Sequence, residues 1–295
     1  MFRPLFAFLT LFTIAAHGQA PVDEPLVVKP FAELSDHSLS QLGAKALGIR
    51  TTEWKHAETQ NFIYHFRQDS IVGPVASEAE FYYRVIAHEL EKDTTQWERK
   101  GHIYIFEDEE EWHQFQAVGG LEPWTGGIHS QGELFIPRYA KNRFKGNTLA
   151  HELTHLIVFR FFGSGVPLWL NEGLAEYTAT RWYASYWRAR GYNARPHSHA
   201  VSPDSYIPVS ELANLVTYPT ETEKVITFYA ESERLVRFLS ATDKHKFTEF
   251  LESMGKGARI ETALDRSYGT HFFDLDALDK EFKPYAAKDH TDVQN

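Results

Sequence analysis

His151-Glu152-Leu153-Thr154-His155, followed by Glu172 inside Pro167-Leu168-Trp169-Leu170-Asn171-Glu172-Gly173-Leu174-Ala175-Glu176-Tyr177, is the stretch on which the reading of this chain turns. Residues i and i+4 of a helix lie one turn apart on the same face, so the two imidazoles can converge on one metal ion. Two histidines supply half of a tetrahedral shell. A catalytic zinc takes three protein ligands and keeps its fourth position open, so a third donor is required, and Glu172 is the candidate. Glu152 follows the first histidine directly and points about 100 degrees around the helix from it. That direction leads to the open side of the ion, where a proton acceptor is useful.

The flanking residues place the motif on an element. Gly146-Asn147-Thr148 offers a helix start with Asn147 or Thr148 as cap, and Leu149, Leu153, Leu156, Ile157 and Phe161 form an apolar stripe. The motif is therefore expected on a buried amphipathic helix. Gly163-Ser164-Gly165 ends it, and from Pro167 a second helix opens in which Leu170, Leu174 and Tyr177 recur at helical spacing. A short turn between the two would fold Glu172 back onto the histidines. Metal-bound histidines donate their other ring N–H to a carboxylate or carbonyl. Glu176, one turn past Glu172, is the expected acceptor, and Asn171 the expected second support of the ligands.

These segments resemble the gluzincin metallopeptidases, the group of thermolysin and aminopeptidase N, and are most similar to its peptidase MA-like members. The phrase from Pro167 to Tyr177 resembles the helix of that family in which the Glu after Asn binds the metal. The resemblance implies His151, His155 and Glu172 as ligands of one Zn2+ per chain, Glu152 as general base, and a peptide or protein as substrate. It also implies a downstream tyrosine that stabilises the oxyanion. Thr227-Phe228-Tyr229-Ala230-Glu231 resembles the start of the helix that carries it, which makes Tyr229 the candidate. No Lys-Gly follows Tyr229 and no Gly-Ala-Met-Glu-Asn motif precedes the zinc helix, a departure from the aminopeptidase pattern. Gluzincins hold the substrate backbone along an edge strand beside the zinc. Glu133, Leu134, Phe135 and Ile136, closed by Pro137, resemble that edge, and His129 reads as the cap of the turn before it.

Upstream of the motif, strands are expected over 61–66 and 102–106, an amphipathic helix over 77–92, a further helix through Trp112 and Phe115, and two short strands within 125–137. Downstream, the second helix runs on toward Arg190, residues 191–208 form a polar loop, and helices are expected over 210–217, 228–241, 246–254 and 275–285. The fold class is α+β, a small mixed β-sheet backing the HExxH helix, followed by a mostly helical C-terminal lobe. The chain divides into a signal segment (1–20), a linker or loosely docked arm (21–50) with a short helix over 34–47, a zincin-like catalytic lobe (51–190) and the helical lobe (191–295). His197 and His199 form a His-x-His that reads as solvated loop. His88-Glu89-Leu90 begins like the motif but has Lys92 where the second histidine belongs.

Composition sets the outer bounds. With 295 residues, 43% of them hydrophobic, the chain can bury a substantial core. Cysteine is absent, which excludes thiolate ligands and disulfides. A formal charge of −10 argues against a general nucleic-acid binder. Arg3, the apolar run from Leu5 to Ala16 and Gly18-Gln19-Ala20 make the three parts of a secretory signal, so the protein is expected to be exported, periplasmic or secreted, with Pro21 as its new first residue. That run is too short to span a bilayer, and no later stretch approaches about 18 apolar residues. Two other readings remain at this level: a noncatalytic exported zinc-binding scaffold, and a zinc amidase acting on a nonpeptide or cell-wall substrate. Glu152 argues against the scaffold, because a structural site has no use for a base and closes with four protein ligands.

Overall fold

Five strands, β1 (Lys55–Glu58), β2 (Phe62–Phe66), β3 (Gly101–Phe106), β4 (Ile128–Ser130) and β5 (Glu133–Pro137), form one mixed sheet in the order β1-β2-β3-β5-β4. The inner three run parallel and the outer two antiparallel to their neighbours. The computed structural model describes residues 26–96, 99–138, 147–194 and 201–288. The signal segment, Gly146, His197 and His199 lie outside them.

Successive strand side chains point to opposite faces. Phe62, Tyr64, Phe66, Ile103, Ile105, Leu134 and Ile136 therefore share one face, packed under α2 (Asp69–Glu89) and α4 (Thr148–Phe161). Tyr104, Phe106 and Phe135 take the other, against α1 (Gln41–Gly48) and the Trp112 and Phe115 of α3 (Glu109–Gly119). With both faces covered, every residue of β2, β3 and β5 is buried. From the α4 face the core continues unbroken into α5 (Leu168–Ala189), α6 (Val209–Leu212), α7 (Thr222–Thr242), α8 (Lys244–Gly255), α9 (Ile260–Tyr268) and α10 (Leu275–Ala286), through Leu174, Val236, Leu251, Leu264 and Phe282. The protein is thus the α+β fold that the sequence describes, with the helical part C-terminal.

Several boundaries differ from expectation, each for a tertiary reason. Residues 26–50 are not a loose arm. Lys29 bridges to His56 of β1, the Ser40 hydroxyl caps α1 by accepting the Gly43 N–H at 2.9 Å, and Ala46 is fully buried. α2 begins at Asp69 rather than 77, because Val72, Val75 and Ala76 bury well enough to carry the helix through Gly73-Pro74. The helix expected over 210–217 shrinks to the four residues of α6, while α7 starts six residues early, so Tyr229 lies two turns into it. α9, with Ala263, Leu264 and Tyr268 buried, was not anticipated. No helix among the described residues is long and apolar enough to cross a membrane.

α5 and α7 approach so closely that a Cβ on Gly173 would overlap the Ser232 carbonyl. Alanine is favoured over glycine in a helix interior by about 1 kcal/mol, but overpacking costs about 1–3 kcal/mol, and a backbone carbonyl cannot turn aside as a side chain can. Because the clash falls on backbone the cost sits at the upper end, about 3 kcal/mol, and Gly173→Ala is therefore expected to lower the unfolding free energy by about 2 kcal/mol, read as a fall in the denaturant midpoint. An unchanged midpoint would show that the two helices are not so tightly opposed.

Candidate metal centre

α4 buries Leu149, Leu153, Leu156 and Ile157 in the core, and its other side brings His151, Glu152 and His155 toward α5 and β4. α5 is held alongside by a hydrogen bond between the buried hydroxyls of Thr154 and Thr178 at 2.7 Å, and farther along by Glu89 of α2, which accepts from Arg181 at 2.8 Å and from the Trp182 indole. Glu172 arrives at the histidines as a consequence. The Nε2 atoms of His151 and His155 are 3.1 Å apart, and Oε2 of Glu172 lies 3.4 Å from the first and 3.6 Å from the second. Nitrogen and oxygen ligands at about 2.0–2.1 Å from a tetrahedral zinc stand about 3.3 Å from one another, so these three atoms fit one face of such a shell. The side chains are only 15%, 11% and 5% exposed. Among the described residues they form the one group of histidine and acidic side chains that could hold an ion.

The supports of this triangle are equally specific. Oε1 of Glu176 lies 3.1 Å from Nδ1 of His151, where the sequence placed an acceptor. Asn171 sits beside His155 and favours its protonated form, but no hydrogen bond of ordinary geometry reaches the buried Nδ1. Tyr218 donates to Oε1 of Glu172 at 2.6 Å, which leaves Oε2 facing both imidazoles. Nothing in the sequence singled out Tyr218, a residue of the irregular stretch between α6 and α7. Tyr229 stacks against it, ring centroids 6.2 Å apart, with the two hydroxyls in hydrogen-bonding reach.

Charge follows from these contacts. Burial works against the Glu172 carboxylate, yet His151, His155 and Tyr218 outweigh it and hold its pKa at about 2. Burial likewise opposes a charge on His151, but Glu172 and Glu176 carry its pKa well above the ordinary value. Burial lowers that of His155. Glu152 is pushed up to about 7 by burial and by Glu172, against the pull of His151 and of a hydrogen bond from the His129 backbone. Its carboxylate lies against Gly127, where a Cβ would come within 3.0 Å of Oε1.

The proposed edge strand needs correction. Glu133, Leu134, Phe135 and Ile136 lie in β5, which is paired on one side with β3 and on the other with β4. The tight turn at Gln131 and Gly132, both with positive φ, folds β4 back along the side of β5 that would otherwise be free. Glu133 turns its carboxylate to Ser40 instead, taking the backbone N–H at 2.8 Å. Among the described residues the edge of the sheet beside α4 is β4. His129 caps the turn as expected, its Nε2 accepting the Gly132 N–H at 3.3 Å.

A search of curated proteins finds no match. The sequence pattern of the Peptidase MA superfamily matches residues 85–288, more than half of the chain and the whole of the two helices that carry the ligand triangle. That extent, over a donor set suited to the zinc on which the family typically depends, makes the chain a member of the peptidase MA superfamily.

Proposed function

We propose that this protein is an exported zinc metallopeptidase of the HExxH…E type that hydrolyses peptide bonds, with His151, His155 and Glu172 as ligands and Glu152 as general base. The observation that carries the reading is the triangle of Nε2, Nε2 and Oε2 at 3.1–3.6 Å, the spacing of three corners of a tetrahedral shell. A zinc ion held there supplies Lewis acidity and brings a coordinated water from a pKa of about 16 to about 7. Glu152 sits in the same buried space, its carboxylate against Gly127, where it can take a proton from an attacking water and pass it to the leaving amine. Glu176 fixes the tautomer and tilt of His151 through Nδ1. Among the described residues the donor set has three members, which favours catalysis over a structural site closed by a fourth protein ligand.

The two tyrosines divide their work. Tyr218 commits its single proton to Glu172, so it acts as a positioning residue that keeps that carboxylate monodentate. Tyr229, its hydroxyl within reach of the Tyr218 oxygen, can turn its proton from there to the substrate and is the candidate donor to the oxyanion formed when the amide carbon is attacked. The substrate backbone would add as a strand to the free edge of β4, in the role first assigned to β5. The apolar run after Arg3 supports export.

Glu152→Gln is expected to keep one zinc per chain by elemental analysis while peptide turnover falls at least about 100-fold. Parental turnover in that variant would overturn the mechanism. Tyr218→Phe should weaken zinc binding by about 10–100-fold in a competition with a fluorescent chelator. Tyr229→Phe should leave zinc affinity intact and lower kcat by about 100-fold. If the two variants exchanged these effects, the assignments of the tyrosines would be reversed.

A further inference from the structure

Four residues past His155, α4 carries its ligand-bearing face on to Phe159, about 6 Å farther along the axis. There the start of β3, the β4–β5 turn and the end of α4 enclose a pocket of ≈ 700 Å³, lined among others by Arg99, Lys100, His102 and Arg160. Three cations line this cleft together with one acid, Glu133, whose carboxylate is taken up by the Ser40 N–H and the Tyr104 hydroxyl. His129 joins this pocket to the metal centre. Its backbone hydrogen-bonds Glu152, its ring lies 5.5 Å from that of Phe159, and its Nε2 holds Gly132 of the pocket wall.

Two of the cations are partly answered by acids of the chain, Arg99 by Asp36 at 2.9 Å and Lys100 by Glu58 at 3.0 Å, while Arg160 donates to the Arg99 carbonyl. Burial and the neighbouring Arg99 lower the Arg160 pKa to about 10, against the opposing pull of Tyr83 and Asp36. His102 is the group with unused capacity. It is 2% exposed, and its Nε2 has no hydrogen-bond partner among the described residues. Its Nδ1 lies 2.9 Å from Nε2 of His65, whose Nδ1 lies 2.8 Å from Nδ1 of His56, so a chain of imidazoles crosses β3, β2 and β1. Burial lowers the pKa of all three.

A neutral imidazole has one proton, so His65, bonded on both sides, must donate through one nitrogen and accept through the other. Only two arrangements satisfy both bonds. In one, His56 donates to His65 and His65 to His102, which leaves His102 with an Nε2–H to offer. In the other, every proton is reversed and that nitrogen presents a lone pair. An anion in the pocket would select the first.

We propose that this pocket is a carboxylate subsite for the peptide bound at the metal centre, with Arg160, Lys100 and the Nε2–H of His102 as donors. The inference rests on the peptidase reading above. An extended chain advances about 3.3–3.6 Å per residue, so the carboxylate would belong to an acidic residue two or three positions from the scissile bond.

Two measurements on the zinc-loaded full chain test it. In the first, 15N-histidine NMR follows titration with N-acetylglutamate α-amide and, separately, with its glutamine counterpart. The acidic probe should move the His102 Nε2 signal toward the protonated form and the neutral one should not. Lys100→Gln, at a partly exposed position whose partner Glu58 keeps its ion pair with Lys29, should weaken the response to the acidic probe. Equal responses to both probes, or none, would overturn the subsite whether or not any peptide is cleaved. In the second, peptide pairs differing only as Glu or Gln near the cleaved bond should differ by about tenfold in kcat/KM, chiefly through KM. Lys100→Gln should shrink that ratio. A selective NMR response without any Glu preference would overturn the assignment to substrate. Absence of all cleavage would instead defeat the peptidase reading and leave the subsite to be decided by the NMR titration alone.

Discussion

The approach of α5 to α4 is the constraint from which the rest follows. Glu172 is an acid only 5% exposed, and a carboxylate is left in such a place only when its charge is answered. Two imidazoles and a phenol answer it here, each from a different direction and the phenol from a separate segment. What brings the acid to them is mundane packing. A glycine at 173 lets α7 press α5 inward, and a threonine pair ties α5 to α4. An ion that binds this arrangement and not the unfolded chain would add its binding free energy to folding, so site and scaffold are coupled.

The sheet gives that helix pair a stiff backing, and it does so with unusual polar content on its outer side. Glu133, His65 and His102 are all buried there, and burial of such groups is tolerated only with partners. Glu133 is answered by Ser40, and His65 by a histidine on either flanking strand. Ser40 belongs to the N-terminal segment, so residues 26–50 help satisfy the sheet and are part of its structure. The chain of imidazoles ends at His102, which lines the pocket past the end of α4 and keeps its buried Nε2 without a partner among the described residues, so the sheet's internal chemistry reaches that pocket.

The α4 and α5 helices and their ligand residues were legible because their signals are local. Two histidines at i and i+4, apolar residues at helical spacing and a turn rich in glycine and proline each act within one or two turns of chain. Glu176 was legible for the same reason, being one turn past Glu172. The strand faces followed from alternation along residues 61–66 and 102–106. Where local and tertiary signals disagreed, the local reading failed: α2 runs upstream of residue 77 through Gly73-Pro74 because its neighbours bury, and β5, which resembled an edge, is covered by β4, the other short strand of 125–137, a pairing that the spacing within neither strand decides.

By itself the sequence determined the chemistry available, namely which donors exist, that thiolates do not, and that two imidazoles share one helical face. Tertiary structure alone decided what surrounds them. Tyr218 meets Glu172 across 46 residues, the three histidines align only through strand register, and the free edge passes to β4 only once the sheet is assembled. Such contacts leave no period in the chain, because they depend on where segments distant in sequence come to rest and not on the spacing within any one of them.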